Sequence, residues 1–153
     1  MKITTNCGKT VTLKPKADLS GLDLRNTNLK DANLQDANLQ SAYLQGADLG
    51  CADLRGADLQ DAMLTDADLS YADLRDAKLQ GAYLSYADLR SANLQGANLE
   101  DANLEDADLS GANLINANLK YANLENANFR GFDLIDADLE GAQFNNQYKL
   151  TQF

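Results

Sequence analysis

The sequence predicts an all-β solenoid, because one five-residue pattern repeats without insertion or deletion from Ala17 to Phe144. Leucine occupies 24 of the 26 central positions, and alanine stands two residues before the centre in 23 repeats. An α-helix turns through about 500° in five residues, so it would spread the leucines over every face. A straight strand would send successive leucines to opposite faces. A chain that turns once per repeat instead keeps all of them inside.

The other positions of each repeat predict a short extended wall followed by a corner. The residue before the leucine, here called the pre-leucine position, is Asp or Asn in 21 of 26 repeats. It lies between two inward residues and therefore points outward. The last residue, here called the corner position, is Gly, Asp or Asn in 20 of 26 repeats. These residues tolerate left-handed backbone and bond to their own main chain, as a corner requires.

The two flanks differ from the repeats and predict three segments. Residues 1–16 contain four lysines, no acid and several β-branched residues, and we expect them to form an N-terminal β-type cap. Residues 17–146 form the β-helix. Residues 147–153 form a short C-terminal tail or cap, whose apolar residues either fold over the last coil or meet a second molecule. An end-to-end dimer through a terminus therefore remains open.

Residues 52–56, with the sequence ADLRG, match the pattern A(D/N)LXX, which resembles the pentapeptide-repeat family over 128 of 153 residues. The resemblance implies a right-handed quadrilateral parallel β-helix with four repeats in each 20-residue coil. The 26 repeats then make about 6.5 coils. It also implies stacked core residues, among them Leu54, Leu74, Leu94, Leu114, Ala52, Ala72 and Ala92.

The absence of histidine argues against an enzyme, since the chain has no imidazole base and no common metal ligand of that kind. The carboxylates are spread at repeat spacing and do not converge. We therefore expect no catalytic residue, no cofactor and no metal site. Cys7 and Cys51 are too few for a disulfide framework and are interpreted as free thiols. With no apolar run that could span a membrane and no leader segment, the expected location is cytoplasmic.

Charge gives the main functional indication, because residues 17–144 contain all 23 acids and only eight Lys or Arg, a balance of 8 − 23 = −15. The first hypothesis is a rigid scaffold that binds unidentified protein partners, with no direct binding of nucleic acid or membrane. The alternative is an acidic mimic of DNA that binds DNA gyrase or another DNA-binding protein, as the resemblance implies for some family members. Most acids are aspartates at wall or corner positions, where Asn would serve the backbone equally, so the charge is also consistent with repeat chemistry alone.

Departures from the Asp/Asn rule mark a candidate partner patch. Tyr43, Met63 and Tyr83 replace Asp or Asn at pre-leucine positions 20 residues apart, and Tyr86 lies at the adjoining corner. Exposed aromatic clusters are typical of partner surfaces. The competing interpretation is an intramolecular ladder that stiffens the stack. A second column contains Arg55 and Arg75, which are placed to pair with neighbouring aspartates.

Overall fold

The chain coils into a right-handed quadrilateral β-helix, which confirms the predicted fold class. The computed structural model describes residues 2–5, 8 and 10–145. Parallel bridges join pre-leucine residues 20 apart, from Asp18 with Asn38 to Asn123 with Gln143. Each coil therefore contains four repeats, and successive coils are about 4.8 Å apart. No helix occurs in this part of the chain.

The four walls of each coil stack into four faces, each carrying one column of pre-leucine residues. The columns run, at 20-residue intervals, from Asp18 to Asp138 on face 1, from Asp23 to Gln143 on face 2, from Asn28 to Asn128 on face 3 and from Asn33 to Asp133 on face 4.

Hydrogen bonding within residues 52–56 accounts for all five backbone N–H groups of a repeat. Ala52 N–H donates across the preceding corner, and Asp53 N–H donates to the preceding coil. The N–H groups of Leu54 and Gly56 donate to the next coil. Arg55 N–H donates instead to Asp53 Oδ1 at 3.3 Å. The pre-leucine Asp or Asn thus accepts from the N–H group that no carbonyl of the coil reaches.

Every corner position from Gly21 to Gly141 has left-handed backbone, with φ between 54° and 71°. A positive φ at the third residue is characteristic of a type II turn, and Gly, Asn and Asp adopt it at least cost. Glycine has a second role at Gly81, where an added Cβ would lie 2.6 Å from Asp61 Oδ1 of the coil before. The corner pattern therefore reflects both backbone conformation and contact between coils.

The core is a continuous stack of leucine and alanine side chains. Every leucine centre from Leu19 to Leu124 is at most 2% exposed. The core residues named from the sequence are at most 1% exposed: Leu54, Leu74, Leu94, Leu114, Ala52, Ala72 and Ala92. Burying one leucine contributes roughly 1.5–3 kcal/mol before chain entropy is subtracted, so the stack is the main source of stability.

The ends of the stack are closed differently. At the N-terminus, strand β1 (Lys2–Thr4) pairs antiparallel with strand β2 (Thr10–Thr12), and Ile3 joins the hydrophobic core. Near the C-terminus, Phe129 packs against Phe132 and Phe144, with ring centroids 5.2 and 6.0 Å away. Residues 147–153 and Cys7 lie outside the described residues. The three-segment division of the chain stays a prediction.

Stacked pre-leucine side chains distinguish Asn from Asp. Asn128 Nδ2 donates to Asp108 Oδ1 at 3.0 Å, and Asn118 Nδ2 donates to Asn98 Oδ1 at the same distance. An ionised Asp has no donor, so consecutive aspartates in a column meet as like charges. Asn and Asp are therefore equivalent as acceptors for the N–H group of the residue after leucine. They differ in the contacts that they make with the pre-leucine residues of neighbouring coils.

The buried position of Ala77 predicts that Ala77→Phe destabilises the protein far more than Gln80→Phe. Ala77 is 1% exposed, whereas Gln80 is only partly buried. A ring at position 77 must displace a filled core, at a cost of about 2 kcal/mol or more, while the ring at position 80 costs about 0.5 kcal/mol or less. Urea unfolding followed by circular dichroism measures both, and equal effects would contradict the assignment of the inward positions.

The stacking rule predicts that Asp68→Asn stabilises the protein. The new amide keeps the bond from Ser70 N–H and gains a donor toward Asp48, as Asn128 has toward Asp108. The expected gain is about 0.5–1 kcal/mol in the free energy of unfolding. Glu125→Gln, which removes one exposed charge outside any pre-leucine column, is the matched control. A gain of equal size in both variants would indicate relief of net charge only.

Candidate partner-binding face

The predicted patch residues lie together on face 2. Bridges join Tyr43 to Met63 and Met63 to Tyr83, so the three side chains stand on successive coils. Tyr43 and Tyr83 are 41% and 50% exposed, which leaves about half of each ring available to a partner. Tyr86 occupies the corner that follows Tyr83 and is 59% exposed. The four side chains therefore cover one continuous surface.

This column lacks, in three successive coils, a hydrogen bond that pre-leucine Asp and Asn make elsewhere; on face 1, Lys78 leaves the N–H group of Gln80 without that bond in one coil. Tyr43, Met63 and Tyr83 have no acceptor in the place of Asp Oδ1. Among the described residues, no partner is found for the N–H groups of Gln45, Thr65 and Ser85, the three that a pre-leucine Asp or Asn would bind. An unmade bond of this kind costs about 1 kcal/mol if water does not replace it.

Gln45 adds a further unsatisfied group on the same face. Its Nε2 donates to Met63 Sδ at 3.2 Å, while its Oε1 is enclosed without a donor among the described residues. Burial of an acceptor without a donor is unfavourable. The middle of face 2 is therefore not the arrangement that best stabilises the coil.

The same surface is uncharged within an acidic rod. We define the neutral window as the outward residues of three successive walls of face 2: Tyr43, Gln45, Met63, Thr65, Tyr83 and Ser85. None of the six is ionised at neutral pH. The walls on either side carry Asp23 with Arg25 in one direction and Glu105 in the other. A neutral, partly aromatic surface bounded by charge is the usual composition of a partner site.

Tyr86 lies at the edge of the neutral window, within range of the negative charge of Asp106. The negative charge of Asp106 and then its hydrogen bond to the phenol raise the pKa of the Tyr86 hydroxyl. The hydroxyl therefore stays protonated and can donate at neutral pH. Tyr86 also has φ of 61°, a backbone conformation that an aromatic residue adopts at a cost of roughly 1 kcal/mol.

A family model for pentapeptide repeats matches residues 16–50, 42–81, 72–111, 82–120 and 112–146, with eight copies. The chain belongs to the pentapeptide repeat family. The match extends over the whole coiled region and agrees with the 20-residue register of the bridges.

Two similar proteins of known structure come from the cyanobacterium Nostoc sp. strain PCC 7120. HetL, a pentapeptide repeat protein involved in the regulation of heterocyst differentiation, is 35% identical, with a TM-score of 0.37. The alignment covers 90% of this chain and 77% of HetL. The pentapeptide repeat protein alr5209 is 37% identical, with a TM-score of 0.40, over 78% of this chain and 85% of its own.

A third similar protein of known structure is an antibiotic resistance protein. QnrB1, a plasmid-mediated fluoroquinolone resistance protein, is 23% identical with a TM-score of 0.56, over 87% of this chain and 80% of its own. At that identity the likeness concerns the fold alone. A search of curated protein sequences gives no significant match.

Face 4 of this pentapeptide repeat protein carries a ladder of ion pairs. Arg55 Nη2 lies 2.6 Å from Asp53 Oδ2, and Arg75 Nη2 lies 2.6 Å from Asp73 Oδ2. Hydrogen bonds from these arginines, followed in importance by backbone N–H groups, hold the pKa of both carboxyls below the ordinary value. Arg90 acts in the same way on the pKa of Asp88 on face 3. These arginines are therefore engaged within the protein.

Other exposed apolar residues lie outside the neutral window, and one of them, Tyr121, stands in the corner column of Asp61 at the edge of face 2. Tyr71, Tyr121 and Ile135 are 67%, 51% and 61% exposed. Two of them occupy corner positions, where an aromatic residue in place of Gly, Asp or Asn is a signal that the sequence analysis used only for Tyr86. Cys51 is an exposed free thiol at a corner of face 4.

Within residues 2–5, 8 and 10–145, no three His, Cys, Asp or Glu side chains come together in a way that could hold a metal ion. In the same part of the chain, no helix is long and apolar enough to cross a membrane.

The ion pairs predict that stability falls on acidification as Asp53, Asp73 and Asp88 become protonated. Their folded pKa values are lowered, so their stabilising contribution is fully present above the unfolded value of about 3.9 and is lost as pH falls through the folded values. Urea unfolding at pH 7, 4 and 3 should show a smaller decline in a variant with all three changed to Asn.

The matched control changes to Asn three aspartates that form no salt bridge within the described residues: Asp48, Asp68 and Asp108. It removes the same number of charges but leaves the arginine pairs in place. If the two triple variants lose stability equally between pH 4 and pH 3, the arginine pairs contribute nothing measurable.

Proposed function

We propose that this pentapeptide repeat protein is a non-enzymatic scaffold that binds a protein partner through the neutral window of face 2. The observation that carries the proposal is the absence, in three successive coils, of the side-chain acceptor for the N–H group of the residue after leucine, where the exposed Tyr43 and Tyr83 and the partly buried Met63 replace Asp or Asn. On face 1 the acceptor is missing in a single coil, at Lys78, whereas face 2 lacks it in three coils in succession. The rigid coil holds the three side chains at a fixed spacing, which limits the conformational entropy that this surface loses when a partner binds.

The magnitudes disfavour an internal brace. Each ring buries about half of its surface, a contribution of roughly 1–2 kcal/mol beyond that of Asn. The missing hydrogen bond to the N–H group of the residue after leucine removes about 1 kcal/mol of that gain. The net effect on stability is therefore about 1 kcal/mol or less for each tyrosine, which is a small reason to place two aromatic residues on a polar surface.

Mimicry of DNA is the second candidate function, and the charge of residues 17–144 favours it. Duplex DNA carries one negative charge per roughly 1.7 Å, so a segment about 31 Å long carries about 18. The coiled region has a balance of −15 over an expected length of about 31 Å. A mimic would use the acids of several faces, whereas the first proposal uses a surface without charge.

The scaffold proposal predicts that Tyr43→Asn, Met63→Asn and Tyr83→Asn together preserve the fold and abolish partner binding. The asparagines restore an acceptor for the N–H group of the residue after each leucine and keep the net charge unchanged. Each change should therefore alter the free energy of unfolding by about 1 kcal/mol or less. A photoreactive phenylalanine at Ser85 identifies the bound protein, with the same group at Gln95 on face 4 as control. The captured protein, once purified, should bind the triple variant at least about tenfold more weakly.

Two outcomes would oppose this proposal. Equal binding of the captured protein to the parent and the triple variant would remove the neutral window from recognition. Inhibition of DNA supercoiling by gyrase that survives the triple variant, but is lost when Asp48, Asp68 and Asp108 become Asn, would favour the mimic.

A further inference from the structure

Two acids flank the middle wall of the neutral window, whereas the corners beside the outer two walls are Ser41, Gly46, Gly81 and Tyr86. Asp61 and Asp66 occupy the two corners of the coil wall that contains Met63, and both are exposed. Among the described residues neither takes part in a salt bridge. Two coils further on, Asp101 and Asp106 stand in the same two corner columns. A partner that covers the window therefore meets one carboxylate on each side of Met63, a second acidic pair one wall beyond Tyr83, and no charge on the window itself.

This distribution of charge argues against a second copy of the chain as the occupant. Two windows placed face to face would bring the acidic edges of both molecules together in a partly desolvated contact. Like charges juxtaposed at an interface cost several kcal/mol. The complementary partner instead has an apolar centre and positive charge along both sides.

The spacing of the coils indicates that the apolar part of the partner is an α-helix and not a strand. The column Tyr43, Met63 and Tyr83 spans two coil steps, about 9.6 Å at 4.8 Å per step. Residues i, i+4 and i+7 of an α-helix share one face and span about 10.5 Å. Three alternate residues of a strand span about 13.2 Å, which does not match the spacing of the three window residues.

We propose that face 2 binds a basic amphipathic α-helix that runs along the axis of the coil. Apolar residues at i, i+4 and i+7 of the helix contact Tyr43, Met63 and Tyr83, and flanking Lys or Arg side chains face Asp61 and Asp66. The soft thioether of Met63 in the middle adapts to different apolar side chains. This inference rests on the proposed function and specifies the chemistry of the partner.

The probe is an 18-residue peptide of leucine, lysine and one tryptophan, arranged as an amphipathic helix. The protein contains no tryptophan, so peptide fluorescence reports binding directly. No helix occurs in residues 10–145, so helical circular dichroism that appears on mixing identifies a helical bound peptide. Two control peptides are compared with the lysine peptide. One has glutamate in place of lysine, and the other has the same composition as the lysine peptide in an order that is not amphipathic.

Three protein variants test the contact residues at 150 mM salt. The triple Asn variant of Tyr43, Met63 and Tyr83 should bind the lysine peptide at least about tenfold more weakly. The rim variant Asp61→Asn, Asp66→Asn should bind it about three- to tenfold more weakly. The matched control Asp31→Asn, Asp36→Asn changes the two corners of one wall on face 4 and should weaken binding by less than about twofold, since salt screens distant charge.

Each remaining outcome overturns the proposal at a defined point. Equal losses in the rim variant and the face 4 control would mean non-specific attraction of a cation to an acidic rod. Equal binding of the glutamate or non-amphipathic peptide would exclude a basic amphipathic helix. If the lysine peptide does not bind, but the protein captured at position 85 still requires the neutral window, the helix proposal is wrong and the proposed function stands.

Discussion

The structure depends on one pattern of backbone N–H hydrogen bonds that recurs in each five-residue repeat. Three are bonded between coils, one is bonded across the corner, and one remains for a side chain. Asp or Asn at the pre-leucine position supplies that acceptor, as Asp53 does for Arg55 N–H. A coil wall is too short for its backbone carbonyls to accept from all five N–H groups of a repeat. The side-chain oxygen therefore accepts from the one N–H group that no backbone carbonyl reaches.

The inward positions follow from the same geometry. Once the corner turns the chain every five residues, the leucine of each wall meets the leucine of the next coil, and alanine fills the space beside it. The core is uniform from Leu19 to Leu124, so it offers no specificity beyond the coil itself. Larger residues at the small inward position occur where the stack ends, as Phe132 does beside Phe129.

Function in such a molecule has to lie in departures from the repeat, because the repeat is fully explained by folding. The aspartates at corners and walls serve the backbone, and many are bonded to it, so their number alone assigns no role. Tyr43, Met63 and Tyr83 do the opposite, since they displace an acceptor that the fold uses elsewhere. An aromatic and thioether column with acids on both edges has a shape and a charge that a partner can match.

The sequence by itself determined the coil, the inward Leu and Ala, and the left-handed corners, because a strict period leaves one geometry in which all leucines meet. It also placed Tyr43, Met63 and Tyr83 in one column, since residues 20 apart stack once four repeats make a coil. Only the tertiary structure decided which N–H groups lose their acceptor, such as that of Thr65, because hydrogen bonding depends on distances between neighbouring coils. It also decided that Asp61 and Asp66 border the same face, since corners five residues apart lie on opposite edges of a wall only after the chain has turned.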